Sequence, residues 1–139
     1  MSAIVLGYDS SPGAARALDL AVELASSLGA PLVLVHGVAP PGQVGEEAGE
    51  ARHALESLAQ EILAPAVETA RAAGVPVTTE LVADQPAAAL VKVADAHDAR
   101  VIVVGTWNES PWRGALFGSV AHKLLQVSDR PVLCVPAAV

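Results

Sequence analysis

The run from Gly105 to Ser119, Gly-Thr-Trp-Asn-Glu-Ser-Pro-Trp-Arg-Gly-Ala-Leu-Phe-Gly-Ser, lies between a strand-like and a helix-like stretch. Gly105 would let the backbone turn sharply off the strand. Gly118 and Ser119 would open the helix. The first turn of a helix leaves N–H groups unpaired and carries a partial positive charge, which suits a phosphate. Glycine at 118 removes the Cβ that would hold phosphate oxygens away, and Ser119 adds a hydroxyl. The same glycines also serve ordinary turns, and the residues alone leave both readings open. The run is neither a Walker loop, which needs Gly-Lys-Ser/Thr, nor the G-x-G-x-x-G of dinucleotide sites.

A second group sits near the start, in Gly7-Tyr8-Asp9-Ser10-Ser11-Pro12. Asp9 ends a strand-like run, where it could face a ligand or simply hydrogen-bond nearby N–H groups of a turn. Ser11 reads as a helix cap, with Pro12 at the first helical position. Trp107, Trp112 and Arg113 could stack on a base or pair with phosphate. Packing of the loop is the expectation for both tryptophans. His36, His53, His97 and His122 are scattered, with no metal-ligand spacing and no cysteine cluster beside them, so no metal site is expected. His122 and Lys123 are expected on a solvated helix face. Cys134, inside an apolar run, reads as an inert core residue. Glu46, Glu47 and Glu50 complement a helix dipole and need no catalytic role. The spacing defines neither a Ser–His–Asp order nor paired carboxylates, so no catalytic residue is assigned.

The elements that must hold these groups alternate along the chain. Ala3–Tyr8 is a continuous apolar run, as expected of a strand buried on both faces. A helix follows from Pro12, with Leu18, Ala21, Ala25 and Leu28 spaced for one buried face and Gly29 to end it. Leu32–Val35 is the second strand, ending near His36-Gly37-Val38. After a loop rich in Pro and Gly, a second helix spans roughly Glu50 to Ala73. Leu55, Leu58 and Ile62 are expected on its buried face, with a kink at Pro65. Val75–Val82 alternates and carries Thr78, Thr79 and Glu80, which predicts an edge strand exposed on one face. A third helix runs from Pro86 to His97, and Arg100–Gly105 is a strongly buried fourth strand. A fourth helix spans about Gly118 to Val127, and Val132–Val135 is the fifth strand. This order predicts a three-layer α/β fold, with an open, mainly parallel five-stranded sheet and helices on both faces. In such sheets ligands bind beyond the carboxyl ends of the strands, where strand order reverses. Residues 1–139 read as a single domain, without internal repeats.

Composition narrows the function. Apolar residues make up 53% of the chain and aromatics only 3%, so the core must be aliphatic. The net charge is −7 and the eight Lys and Arg are dispersed, which disfavours nucleic acid and acidic membrane surfaces. No apolar stretch is long enough to span a membrane, and no signal peptide is recognisable at the start. With a single cysteine as well, a cytoplasmic location is expected. The last strand, Pro131–Val135, would invite antiparallel pairing with a second copy if it lies at an edge.

Several of these segments together resemble the universal stress protein family. They are Gly7-Tyr8-Asp9-x-Ser11, Ala83-Asp84-Gln85-Pro86-Ala87, Leu-Phe-Gly-Ser-Val at 116–120, and Arg130-Pro131-Val132-Leu133-Cys134-Val135-Pro136. The resemblance covers essentially the whole chain. Nucleotide-binding members carry G-x2-G-x9-G-[S/T] after the fourth strand. Gly105, Gly118 and Ser119 match that spacing, and Asn108 stands in place of the second glycine. Asparagine tolerates a left-handed backbone better than other non-glycine residues, yet it adds a Cβ and an amide. The resemblance implies strand order 3-2-1-4-5 and an adenine nucleotide, ATP or AMP, with or without Mg²⁺. It places Asp9 on the nucleoside and Gly37, by its backbone, beside adenine. Valine is common at the position of Gly37, and glycine at that of Ala83. The resemblance also implies a homodimer through the final strand and a regulatory role in stress response, with at most slow ATP hydrolysis. The competing expectation is a dimeric stress scaffold whose site is closed by the Asn108 loop.

Overall fold

The computed structural model describes residues 2–9, 11–37, 46–106 and 119–137. Within them the chain alternates between strand and helix: β1 (Ile4–Gly7), α1 (Pro12–Leu28), β2 (Leu32–Gly37), α2 (Glu46–Ala72), β3 (Val77–Val82), α3 (Pro86–Ala96), β4 (Val101–Thr106), α4 (Ser119–Val127) and β5 (Val132–Pro136). The strands form one sheet in the order β3-β2-β1-β4-β5, as expected. Every pairing in it is parallel. The order reverses beside β1, so the ends of β1 and β4 open on the same crevice.

The continuous apolar runs are explained by burial on two sides. Successive strand residues face opposite ways. Ile4, Leu6, Leu32, Leu34 and Val103 pack with α1 and α2. Val5, Val33, Val35, Ile102 and Val104 pack with α3 and α4. Each fully buried Val, Leu or Ile contributes roughly 1.5–3 kcal/mol relative to exposure, so the three central strands carry much of the folding energy. β3 is an edge strand, as expected, but Thr78 and Thr79, which face opposite ways, are both exposed, so it is open on two faces rather than one.

Two expectations are corrected. The buried face of α2 is Ala59, Leu63, Ala66 and Ala70, whereas Leu55 and Leu58 are 40% and 53% exposed. A helix of this length reaches about 40 Å, while a six-residue strand reaches only about 20 Å. Only the C-terminal part of α2 therefore meets the sheet. It runs without interruption through Pro65, whose carbonyl accepts a hydrogen bond from Thr69 Oγ1. Cys134 is half-buried rather than enclosed, because β5 is an edge strand. Burial still pushes its thiol above the ordinary cysteine range.

Arg130 was not singled out by the sequence as a structural residue. Its guanidinium donates to Asp95, to Asp98 and to the Ala99 carbonyl, so the approach to β5 is tied to the end of α3.

Candidate functional site

The carboxyl ends of β1, β2 and β4 meet the first turns of α1, α3 and α4 around one cleft. Its walls include Tyr8, Asp9, His36, Gly37, Gly105 and Val120. Three expected site residues, Asp9, Gly37 and Gly105, are thus brought together from sequence positions far apart. Val120 lies in the first turn of α4, so the cleft reaches the start of that helix. Ser119 is the first residue of α4, which places its N–H among the helix's unpaired donors. Asn108, Gly118 and both tryptophans lie outside the described residues.

Asp9 lies two residues beyond the end of β1 and is exposed. Its Oδ1 accepts a hydrogen bond from the Ser11 backbone N–H at 3.0 Å. Ser11 in turn caps α1, its Oγ accepting from the Ala14 N–H at 3.2 Å. Asp9 is thus the turn former that the sequence allowed, and it also lines the cleft.

Gly105 does a different job from the one its sequence position suggested. It lies inside β4, in register with Val135 of β5, and not at a sharp turn. Its φ is not in the left-handed region, where only Gly29 and Gly74 are found among the described glycines. What it lacks space for is a side chain. A Cβ at 105 would stand 2.3 Å from the Gly13 carbonyl carbon and 2.5 Å from the Ala14 nitrogen. A Cβ on Gly13 would likewise lie 2.6 Å from the Thr106 carbonyl oxygen. The first turn of α1 rests on the end of β4, backbone against backbone. This contact brings the Asp9–Ser11 turn beside the exit of β4.

Gly37 ends β2 under the turn between β3 and α3. A Cβ there would be 3.0 Å from the Asp84 carbonyl oxygen and 3.1 Å from the Pro86 Cα. The volume a valine would take is thus filled by backbone of the turn. Asp84 holds this turn closed. Its Oδ1 accepts from the Gln85 N–H and its Oδ2 from the Lys92 ammonium. The Lys92 hydrogen bond, helped by the Gln85 N–H, holds the Asp84 carboxyl below the usual carboxylate range.

Tyr8 packs against the α1–α2 side of the core and also lines the cleft. Burial pushes its phenol above the ordinary range, and the Asp9 and Asp19 carboxylates add to the effect. His122 and Lys123 are exposed on α4, as expected of a solvated face. Among the described residues no cluster of His, Cys, Asp or Glu could hold a metal ion. None of the described helices is long and apolar enough to cross a membrane.

The sequence did not single out His36, Leu90 or Val120 as cleft residues, nor Gly13 as the point where α1 meets β4. Two signals were present. A glycine just inside a capped helix often marks a close backbone approach. A histidine at the end of an apolar strand is a polar group that must find a partner.

The fold agrees with the comparisons. The profile of the universal stress protein family matches residues 1–136, and the chain belongs to that family. It is 31% identical over 150 residues to the universal stress protein YxiE of Bacillus subtilis, covering 95% of this chain and 97% of that one. It is 32% identical to a universal stress protein of Mycobacterium tuberculosis, again over 95% of this chain, but spans only 46% of that relative's length. Among solved structures, the universal stress protein from Archaeoglobus fulgidus in complex with dAMP is 29% identical. It superposes with a TM-score of 0.73, over 97% of this chain and 98% of that one. A universal stress protein in complex with cAMP is 28% identical, with a TM-score of 0.75 over 99% and 98% of the two chains.

Proposed function

We propose that this chain binds an adenine nucleotide, ATP or AMP, in the cleft above β1 and β4, and acts as a regulatory homodimer of the cytoplasmic stress response. The observation that carries this reading is the meeting of Asp9, Gly37, Gly105 and the first turn of α4 around one cleft at the reversal of strand order. Relatives of the same fold, at 28–29% identity, are complexes with dAMP and cAMP, which favours an adenine nucleotide over other anions. Asp9 would accept from the nucleoside, and the Gly37 backbone would border the base. The phosphates would sit at the α4 N-terminus, on Gly118 and Ser119, with Gly105 and Asn108 framing the same run. Mg²⁺ would accompany a triphosphate and offset its charge. With no paired base or nucleophile among the described residues of the cleft, we read the protein as a binder rather than an enzyme, with slow ATP hydrolysis at most. Product formation from ATP at useful turnover would reverse that assignment.

Calorimetry with ATP and Mg²⁺ is the direct test. Heat of binding and a rise in Tm at millimolar ATP are expected. A ligand at 100 times its Kd stabilises the native state by about 2.7 kcal/mol. Both tryptophans, Trp107 and Trp112, lie between Gly105 and Ser119. Tryptophan emission is therefore a local reporter and should change with nucleotide. Absence of heat and of a thermal shift would sink the nucleotide reading and leave the dimeric scaffold. In that case affinity gained by Asn108→Gly would identify Asn108 as the residue that closes the site.

The dimer rests on β5. It is an edge strand that pairs only with β4 among the described residues, and Leu133 on it is 39% exposed. A two-fold axis would let β5 of two copies pair antiparallel along their free edges. Light scattering at micromolar protein should give twice the mass of one chain, and a monomer would contradict the proposal.

A further inference from the structure

We infer that His36 is the positioning residue that aims Asp9 into the cleft, an inference that rests on the nucleotide reading for its functional consequence. The β1–β2 ladder runs to Gly7 opposite Val35, and the Tyr8 N–H still donates to the Val35 carbonyl at 3.1 Å. Beyond that bond β1 leaves the sheet and turns through Asp9 toward α1. The next acceptor, the Tyr8 carbonyl, is met by a side chain: His36 Nδ1 lies 3.0 Å from it. A carbonyl can only accept, so Nδ1 carries the hydrogen and donates.

This bond governs Asp9 because the peptide group is planar. Fixing the direction of the Tyr8 carbonyl fixes the Asp9 nitrogen and Cα in the same plane. The other side of Asp9 is fixed by its Oδ1, which accepts from the Ser11 N–H. Asp9 is thus clamped on both sides, by His36 before it and by the start of α1 after it. Each of Tyr8, Asp9, Ser11 and His36 also lines the cleft. Without the imidazole the Tyr8–Asp9 peptide is free to rotate where the ladder has ended. The exposed carboxylate then loses its fixed direction while the strands below keep theirs.

Two variants separate this role from a direct contact with ligand. The side-chain amide of asparagine can place a donor where Nδ1 stands, but has nothing at the place of Nε2. Leucine fills the volume and donates nothing. His36→Asn should bind ATP within about threefold of the wild type, whereas His36→Leu should lose about tenfold, the worth of about one hydrogen bond. Amide hydrogen exchange without nucleotide provides the second measurement. The Ser11 amide, which donates to Asp9 Oδ1, should exchange about tenfold faster in His36→Leu but not in His36→Asn, with protection in the central strands unchanged. If both variants lose affinity alike while exchange stays at the wild-type rate, Nε2 touches the ligand and the positioning role is overturned. Wild-type exchange and affinity in His36→Leu would overturn it as well. If the wild type binds no ATP, the nucleotide reading fails, and the exchange contrast alone then decides whether His36 orients Asp9.

Discussion

Gly105→Ala is expected to destabilise the fold by about 3 kcal/mol or more, at or above the upper end of typical overpacking costs. The added methyl would lie 2.3 Å from the Gly13 carbonyl carbon and 2.5 Å from the Ala14 nitrogen. Both are backbone atoms, so no side chain can rotate aside to make room. The first turn of α1 must lift from β4, and the Asp9–Ser11 turn must move with it. Urea unfolding with a shared m-value would measure the loss. The partner substitution Gly13→Ala opens the same gap, its methyl directed at the Thr106 carbonyl oxygen at 2.6 Å. Once one methyl has separated helix from strand, the second meets less resistance. The double variant should therefore fall short of the sum of the single costs by about 1 kcal/mol or more. A full sum would show that the two methyls act independently, and a loss below about 1 kcal/mol for Gly105→Ala would show that the helix adjusts at little cost. A folded but weakened Gly105→Ala should also bind nucleotide less well, since one wall of the cleft is displaced.

The second large effect is expected at Asp9. Asp9→Ala should lower affinity for ATP or AMP by about 10- to 100-fold, the range for a lost hydrogen bond to a charged group. Because Oδ1 also accepts from the Ser11 N–H, the same variant should cost about 1 kcal/mol of stability. Asp9→Asn separates the two contributions. Its amide oxygen can keep the turn, so stability should stay near that of the wild type. The negative charge and the second oxygen acceptor are gone, so affinity should still drop by about tenfold. Calorimetry for affinity and thermal unfolding for stability, run on both variants, decide the point. Wild-type affinity in both would reduce Asp9 to a turn residue.

Much of this was legible in the residues. Continuous apolar runs at Ala3–Tyr8, Leu32–Val35 and Arg100–Gly105 identified strands covered on both faces, because only burial on two sides removes the alternation. Thr78 and Thr79 marked β3 as an edge, since polar side chains there remain hydrated. Ser11 and Pro12 marked the start of α1 through local backbone requirements that need no tertiary partner. The motif residues fixed the family and, through it, the strand order.

Other features depended on what meets what in space. Leu55 and Leu58 have helical spacing, but their burial depends on whether the sheet extends beneath them, and it is shorter than α2. Cys134 sits in an apolar run, but edge position leaves it half-covered. The His36 bond joins residues 28 positions apart, a separation that periodicity does not encode.

The division is sharpest at the run that begins with Gly105. The sequence by itself determined that this run follows a buried strand, precedes a helix and carries the family's glycine spacing with Asn108 in one place. Only the tertiary structure decided that Gly105 is the surface on which α1 rests, and that Asp9, Gly37 and the first turn of α4 share one cleft. Local propensity is a property of neighbours along the chain, whereas a close approach of two backbones is set by packing between elements far apart in sequence.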